Sequence, residues 1–347
     1  MMMSNLFSAA FAAIRKRVTR MRDKRLGRDP RLDLSIPDSM RGLLRGAHLS
    51  LLDIGGRSGP LTEFEPFAPF THLFICEPDT KEAARVKETL RTKGGWRDVT
   101  VLTEAIHPAE SGVTLNITRE PGLSSLLEPD TAVVGQFYRA EGGKHLLKDW
   151  EIVSRHEVPA ITLDNAAEKY NFDTISVLKI DTQGTELGIL QSGINHVLPS
   201  AVAVYVEAEF LPIYKGQPMF GDVHALLQRQ GFRLVDMKRS SLRRAFADRP
   251  VYSKRELAWA HSLYFRDANA DGTALTAQQK HTLACVAFLL EFFDYAAALL
   301  GDHDMAGIKR DIATYAASFW RMLQQRANAR EERQYGVDAW HDRGNER

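Results

Sequence analysis

Four acidic residues could do chemistry, because each follows a short apolar run. They are Asp53, Glu77, Asp181 and Glu207. Runs of this kind are typical of buried strands in a parallel sheet, and ligands bind at the carboxyl ends of such strands. A carboxylate at that edge can accept hydrogen bonds from a sugar, take a proton or bind a cation. The pattern therefore predicts a ligand site at one edge of an α/β sheet, although Asp181 alone could also be a helix cap.

Residues 175–190 are the most informative segment for this prediction. It opens with a nearly unbroken apolar run over residues 175–180, which suits a strand buried on both faces. Asp181 would end the strand and Gly184 would allow the chain to turn. Glu186 would then lie in the first turn of a helix, where a carboxylate interacts favourably with the helix dipole.

A nucleoside-containing cofactor is indicated by the first two predicted strands. A glycine-rich turn with Gly55 and Gly59 follows the first strand and would let the backbone approach a ligand closely. Glu77 follows the second strand, 77 − 53 = 24 residues after Asp53, and an acid at this spacing can bind both hydroxyls of a ribose. Two prolines fall where a dinucleotide-binding protein would open a long helix. We therefore favour S-adenosylmethionine, which has no pyrophosphate, over NAD.

Further residues are assigned to the cofactor and to the acceptor. Glu104 and Ala105 follow a third predicted strand and could line an adenine slot. A polar loop at residues 122–126 is either a solvated turn or a source of hydroxyls for the cofactor or the substrate. The predicted cofactor-binding residues are Asp53, Gly55, Gly59, Glu77, Glu104, Ala105 and Asp181. The predicted acceptor-binding residues are Ser124, Ser125, Glu209 and Tyr214.

Asp181 and Glu207 are the predicted catalytic residues. Both should end adjacent strands and face the same point, where either could accept a proton from a hydroxyl group. The alternative is that the two acids hold a divalent cation that orients a sugar diol, and we do not commit to a metal. His156 and His196 are further candidate bases, but lone histidines are more often surface or core residues.

The pattern of elements predicts one doubly wound α/β domain over residues 32–267. We expect a helical extension at residues 268–330 and a loose tail at residues 331–347. Residues 1–31 combine a helical apolar face with many basic side chains. This arm could lie on an anionic membrane surface, bind a partner or pack on its own domain.

Composition limits the class of protein. The 347 residues are 44% hydrophobic and carry a net charge of +1, so no nucleic-acid partner is expected. Two cysteines without metal spacing fit a reducing cytosol. The longest apolar stretch, residues 283–300, contains Glu291 and Asp294, which argues against a membrane-spanning helix. We expect a soluble, cytoplasmic protein, with peripheral contact at the inner membrane face as the alternative.

Taken together, these segments resemble the FkbM family of S-adenosylmethionine-dependent methyltransferases. The most distinctive signature is L-K-I-D-T-Q-G-T-E, which begins at Leu178 and is closed by Gly193. Supporting pieces occur in the order of the family at residues 53–59, 76–78, 124–126, 162–164, 206–210, 214–217 and 231–232. The resemblance covers residues 48–266. It departs from the family at Gly56 and Arg57, where alanine and asparagine are usual, and Arg57 would point at the methionine carboxylate or outward.

The resemblance implies a class I methyltransferase with a Rossmann-like seven-stranded sheet whose last strand is antiparallel. It also implies methylation of a hydroxyl group, on a sugar, a glycan or a natural-product scaffold. Two other functions are kept open. An NAD(P)-dependent oxidoreductase would need a pyrophosphate-binding loop and a Tyr/Lys pair, and we find neither assembled. A catalytically silent adaptor in a glycan-assembly complex would keep the fold without the reaction. The sequence does not determine the acceptor or the oligomeric state.

Overall fold

The computed structural model describes residues 35–57, 59–138, 146–172, 174–245, 254–300 and 306–331. The described residues divide into two compact units, one within residues 43–300 and one made of parts of residues 1–42 and 301–347. The predicted basic arm at residues 1–31 and almost all of the predicted tail lie outside the described residues.

Short strands and helices alternate along the larger unit, as the sequence predicts. The strands are β1 (Leu49–Ile54), β2 (Thr71–Cys76), β3 (Asp98–Leu102), β4 (Ala105–Ile106), β5 (Val113–Thr118), β6 (Phe137–Tyr138), β7 (Ile152–Val158), β8 (Ala160–Ile161), β9 (Val177–Ile180), β10 (Ala203–Glu209), β11 (Phe232–Arg244) and β12 (Glu256–Arg266). The α-helices are α1 (Asp38–Gly46), α2 (Thr80–Lys93), α3 (Thr131–Val134), α4 (Leu163–Tyr170), α5 (Glu186–Gln191), α6 (Val197–Ser200), α7 (Phe220–Arg229), α8 (Ala277–Leu289), α9 (Phe293–Leu299) and α10 (Ala306–Glu331). Short 3-10 helices span Thr62–Phe70, Pro121–Leu123 and Leu146–Lys148.

The main sheet has the order β3-β2-β1-β9-β10-β12-β11, with the two-residue strand β6 added at its edge. The pairs from β3 to β10 are parallel, and β12 is antiparallel to both of its neighbours. This arrangement confirms the predicted Rossmann-like sheet of seven strands with an antiparallel last strand. The edge strand β6 was not predicted.

Both faces of the sheet are covered, which explains why its central strands are apolar. On one face, Leu52, Leu178 and Val204 belong to a buried cluster that includes side chains of α4, α5, α6 and α7. On the other face, Phe64 of the first 3-10 helix makes an edge contact with Tyr205 of β10. All residues of β1, β9 and β10 are buried. The doubly wound prediction is therefore confirmed.

The structure differs from the sequence prediction in three places. The sequence pattern predicts that the basic run at residues 238–255 is an exposed excursion, which could bind a phosphate or an acidic sugar. Residues 238–244 instead continue β11, because they pair with β12 and Arg244 forms an ion pair with Glu256. Strands β5 and β7 pair with each other in a small antiparallel sheet of their own. Residues 276–300 form two helices, separated near Glu291, whose φ of 71° interrupts the helix.

Within the described residues, no helix combines the length and the apolar character that crossing a membrane requires.

Candidate active site

A cavity of about 220 Å³ opens at the carboxyl ends of β1, β2 and β9. This is the edge at which the sequence predicts a ligand site. The predicted site residues that line the cavity are Gly55, Gly59, Glu77, Ala105, Ser124, Ser125 and Asp181. Seven of the predicted residues, from five separate parts of the chain, are thus brought to one cavity.

The glycine turn is fitted tightly against the end of β9. Gly55 has a φ of 86°, and a Cβ atom at this position would lie 1.9 Å from the carbonyl oxygen of Asp181. The backbone N–H of Asp181 donates to the carbonyl of Ile54 at 3.0 Å. A side chain at residue 55 would therefore force the two backbone segments apart, which explains the need for glycine here.

Glu77 lies where a ribose-binding acid is expected. It is buried, and its Oε1 accepts a hydrogen bond from the backbone N–H of Asp79 at 2.9 Å. Burial raises the pKa of Glu77 to about 6. Arg57 lines the same cavity and its Nη2 lies 3.6 Å from Asp79 Oδ2. Arg57 is thus directed toward the end of the cavity that holds Glu77.

Two predicted cofactor residues, Asp53 and Glu104, do not line the cavity, contrary to expectation. The Asp53 carboxylate is fully buried and lies 2.8 Å from the ammonium of Lys179. The Glu104 carboxylate forms an ion pair with Lys169 and accepts a hydrogen bond from the Tyr170 hydroxyl at 2.5 Å. Each acid therefore has a charged partner, and neither acid lines the cavity.

Of the predicted catalytic pair, Asp181 lines the cavity, whereas Glu207 is buried beside it and is not part of the lining. Asp181 directly follows β9, and Glu207 lies near the end of β10. The two strands are adjacent, as predicted. The side-chain amide of Gln183 donates to Asp181 Oδ1 at 3.0 Å and to Glu207 Oε2 at 2.5 Å. His261 of β12 places its Nε2 3.4 Å from Asp181 Oδ2 and 3.7 Å from Glu207 Oε1. One amide and one imidazole therefore bracket the two carboxyl groups.

The two acids of this pair have opposite protonation preferences. Burial opposes the charged form of Asp181, but the ammonium of Lys179 and the hydrogen bond from His261 outweigh it and hold the pKa of Asp181 below its ordinary range. Burial, together with the neighbouring Asp181 carboxylate, raises the pKa of Glu207 well above its ordinary value. Asp181 is therefore the more readily ionised of the two acids.

Two of the predicted acceptor-binding residues hold Gln183 in place. The Tyr214 hydroxyl lies 3.0 Å from Gln183 Oε1 and 2.9 Å from the carbonyl of Leu123. The Ser125 hydroxyl donates to the carbonyl of Gln183 at 2.7 Å. Gln183 itself has a φ of 62°, an uncommon conformation for a residue with a side chain. These contacts fix the direction of its amide.

The other two predicted acceptor residues have different surroundings. Ser124 lines the cavity, and its hydroxyl accepts a hydrogen bond from the N–H of Thr118 at 3.2 Å. Glu209 is buried away from the cavity lining, and burial raises its pKa to about 9. The role of these residues in binding an acceptor stays a prediction.

Gln183 and His261 were not predicted from the sequence as site residues. Gln183 lies inside the most distinctive motif, and its position between two acids was a usable signal. His261 lies directly opposite Glu207 in the pairing of β12 with β10. That pairing joins residues far apart in the chain, so no local pattern indicates it.

The remaining candidates lie elsewhere. His156 is on the exposed strand β7 and His196 precedes α6. In the basic run, Lys238 forms an ion pair with Glu63, while Arg249 lies outside the described residues. A second depression, of about 370 Å³, contains Asp164, whose carboxylate caps backbone N–H groups of residues 195–197. We therefore place the candidate site at the first cavity.

Comparison with known proteins bears on the family of this chain. Residues 72–234 match the family model described as the methyltransferase FkbM domain. The match confirms the resemblance predicted from the residues, and it spans Glu77, Asp181 and Glu207. No curated protein matches the chain.

Solved structures give weak similarities. A precorrin 8w decarboxylase of Methanobacterium thermoautotrophicum is 13% identical, with 63% of this chain and 81% of that chain covered and a TM-score of 0.31. A precorrin-6y C5,15-methyltransferase of Geobacter metallireducens is 10% identical, with 65% and 87% covered and a TM-score of 0.31. An rRNA methylase of Streptococcus thermophilus is 8% identical, with 66% and 92% covered and a TM-score of 0.31. Similarities this low do not bear on the substrate.

Proposed function

We propose that this chain, whose residues 72–234 are a methyltransferase FkbM domain, transfers the methyl group of S-adenosylmethionine to a hydroxyl oxygen. The acceptor would be a sugar, a glycan or a natural-product scaffold. The observation that carries the proposal is that Glu77 and Asp181 line one cavity, and that Gln183, which also lines it, joins Asp181 to Glu207.

The residues of the cavity suit S-adenosylmethionine. Glu77 would accept hydrogen bonds from the ribose hydroxyls, and the turn at Gly55 and Gly59 gives the backbone room to approach the cofactor. Ala105 and Ile106 supply an apolar wall for the adenine. When bound, the cofactor supplies an electrophilic methyl group on a sulfonium, which is a good leaving group.

The chain would contribute mainly positioning and proton transfer. Holding an acceptor oxygen in line with the methyl group is worth on the order of several kcal/mol. A positioned base adds roughly 10²- to 10⁴-fold. Asp181 lines the cavity and favours its ionised form, so it is the acid of the pair that is available to accept a proton. Gln183 would keep both carboxyl groups in place through its two hydrogen bonds.

The first test is a calorimetric titration of the full chain with S-adenosylhomocysteine. We expect saturable binding by the wild type and roughly ten- to hundredfold weaker binding by Glu77→Gln, because hydrogen bonds to a charged group are worth about 1.5–3 kcal/mol. Glu88→Gln is the matched control, since Glu88 is an exposed acid that pairs with Arg91 on α2. A folded wild type that does not bind would contradict the proposal and favour the silent adaptor.

The oxygen specificity needs a separate experiment. The chain would be incubated with a donor that carries a deuterated methyl group and a panel of hydroxylated acceptors, and mass spectrometry would locate the label. We expect the label on an oxygen atom of a sugar or scaffold. A label found on nitrogen or carbon would refute O-methylation and leave the cofactor assignment intact.

A further inference from the structure

Three side chains from three neighbouring strands of the sheet converge beside the cofactor cavity. Asp181 follows β9, Glu207 lies in β10 and His261 lies in β12. One ligand atom from each lies within 4.8 Å of the other two. The His261 Nε2 is 3.4 Å from Asp181 Oδ2 and 3.7 Å from Glu207 Oε1. Neighbouring ligands of one cation with bonds of about 2.1–2.3 Å lie roughly 3.0–3.7 Å apart, which matches the two distances from His261.

The other carboxyl oxygen of each acid accepts a hydrogen bond from a residue that is not one of these three side chains. Gln183 Nε2 donates to Asp181 Oδ1 and Glu207 Oε2, so Oδ2 and Oε1 are left to face the imidazole. A reversed amide would turn its oxygen toward the oxygens of both carboxyl groups, so the orientation with the amide nitrogen toward the two acids is the favourable one. Hydrogen bonds of this kind orient the carboxylate ligands of metal sites.

The local charges also favour a cation. Lys179 is buried, and its ammonium lies 2.8 Å from Asp53 but 3.9 Å from Asp181. Its single charge is therefore matched mainly by Asp53. Among the described residues, His261 is the other basic group within 4 Å of the pair, and an imidazole is not a permanent charge. Two carboxyl groups held together in a largely buried position need further positive charge.

We propose that Asp181, Glu207 and His261 bind a divalent cation. Two carboxylate oxygens and one imidazole nitrogen suit a first-row ion such as Mn²⁺ better than Ca²⁺, which prefers oxygen ligands alone. The side chains of Asp181 and His261 are 23% and 20% exposed, so the ion has a path to the site and keeps open positions. If the proposed O-methylation holds, a hydroxyl of the acceptor binds at an open position, and the carboxylates serve as ligands.

The test is a calorimetric titration of the EDTA-treated full chain with MnCl₂, without any methyl donor or its product. We expect one ion per chain, and at least tenfold weaker binding by His261→Gln. His156→Gln is the matched control, because His156 is a histidine of an exposed strand outside the site. Binding by His261→Gln that equals the wild type, or no saturable binding by the wild type, would overturn the proposal and leave a proton shared by the two acids.

A second variant covers the case in which His261→Gln does not fold, as judged by circular dichroism. Asp181→Asn removes a ligand from a different strand and should weaken Mn²⁺ binding to a similar extent, whereas unchanged binding would count against the site. Cofactor binding is read separately through Glu77. A failure of the metal site and a failure of the methyltransferase proposal therefore give different results.

Discussion

Lys179 shows how a single buried residue organises the site. It interrupts the apolar run that predicts β9, and its side chain is almost fully buried between Asp53 and Asp181. Burial lowers the pKa of Lys179, but the two carboxylates outweigh this effect and raise it, so the ammonium stays charged. The lysine thus links the end of β1 to the end of β9 by charge as well as by backbone hydrogen bonds.

Glu77 gives a prediction on pH. Because burial raises its pKa to about 6, the carboxylate that would bind the ribose becomes protonated as the pH falls through that value. We expect the affinity for S-adenosylhomocysteine to be constant above about pH 7 and to fall about tenfold per pH unit below pH 6. Titration calorimetry between pH 5 and pH 8 measures this. In Glu77→Gln the slope should disappear, and a slope that persists would assign it to another group.

At the scale of elements, the start of α5 builds one wall of the site. Glu186 turns its carboxylate back to accept hydrogen bonds from the N–H groups of Thr182 and Gly184. This closes the turn and holds Gln183 in its left-handed conformation. The helix therefore positions the amide between Asp181 and Glu207.

The glycine turn after β1 gives a prediction at the same scale. Gly55→Ala should destabilise the protein by more than about 2 kcal/mol and abolish cofactor binding, because its Cβ would overlap the Asp181 carbonyl. Gly59→Ala is the matched control. Gly59 has a similar φ of 80°, but among the described residues, apart from its chain neighbours, no heavy atom lies within 4 Å of an added Cβ.

Urea unfolding of both glycine variants measures the difference. The strain of the left-handed conformation alone should cost Gly59→Ala about 1–2 kcal/mol. If the two variants lost equal stability, the close approach of the turn to β9 would not matter.

For the larger unit as a whole, Arg266 joins segments that are distant in sequence. Its guanidinium is buried and donates to the backbone carbonyls of Leu198, Ala201 and Gln230. It also lies over the ring of Phe232, 4.2 Å from its centre. Burial lowers its pKa to about 10, which leaves it charged at neutral pH. Arg266 thus connects the end of β12 to α6 and to the C-terminal end of α7.

We expect Arg266→Met to destabilise the protein by about 3–5 kcal/mol, because buried carbonyls lose their donor. Thermal unfolding measures this, and the folded fraction at low temperature should still bind S-adenosylhomocysteine normally. Arg233→Met is the control, since Arg233 is exposed and its ion pair with Asp267 is worth less than about 1 kcal/mol. Equal losses in the two variants would show that burial of Arg266 contributes nothing.

Local patterns in the sequence were enough to predict the fold class and some of the residues of the candidate site. Apolar runs that end in an acid or a glycine turn predict buried parallel strands, because both faces of such a strand must be apolar and its carboxyl end must be polar. That reasoning located Gly55, Glu77, Asp181 and Glu207, and it predicted that β9 and β10 are neighbours. The methyltransferase resemblance followed from the same residues.

Only the tertiary structure decided which acids face the cavity and what surrounds the predicted catalytic pair. Asp53 and Glu104 also follow the strand-end pattern, yet Asp53 forms a buried ion pair with Lys179 and Glu104 forms an ion pair with the exposed Lys169. His261 reaches Asp181 because β12 enters the sheet antiparallel beside β10. The physical reason is that strand pairing joins residues tens of positions apart in the chain, and partners at that separation leave no periodic trace in the sequence.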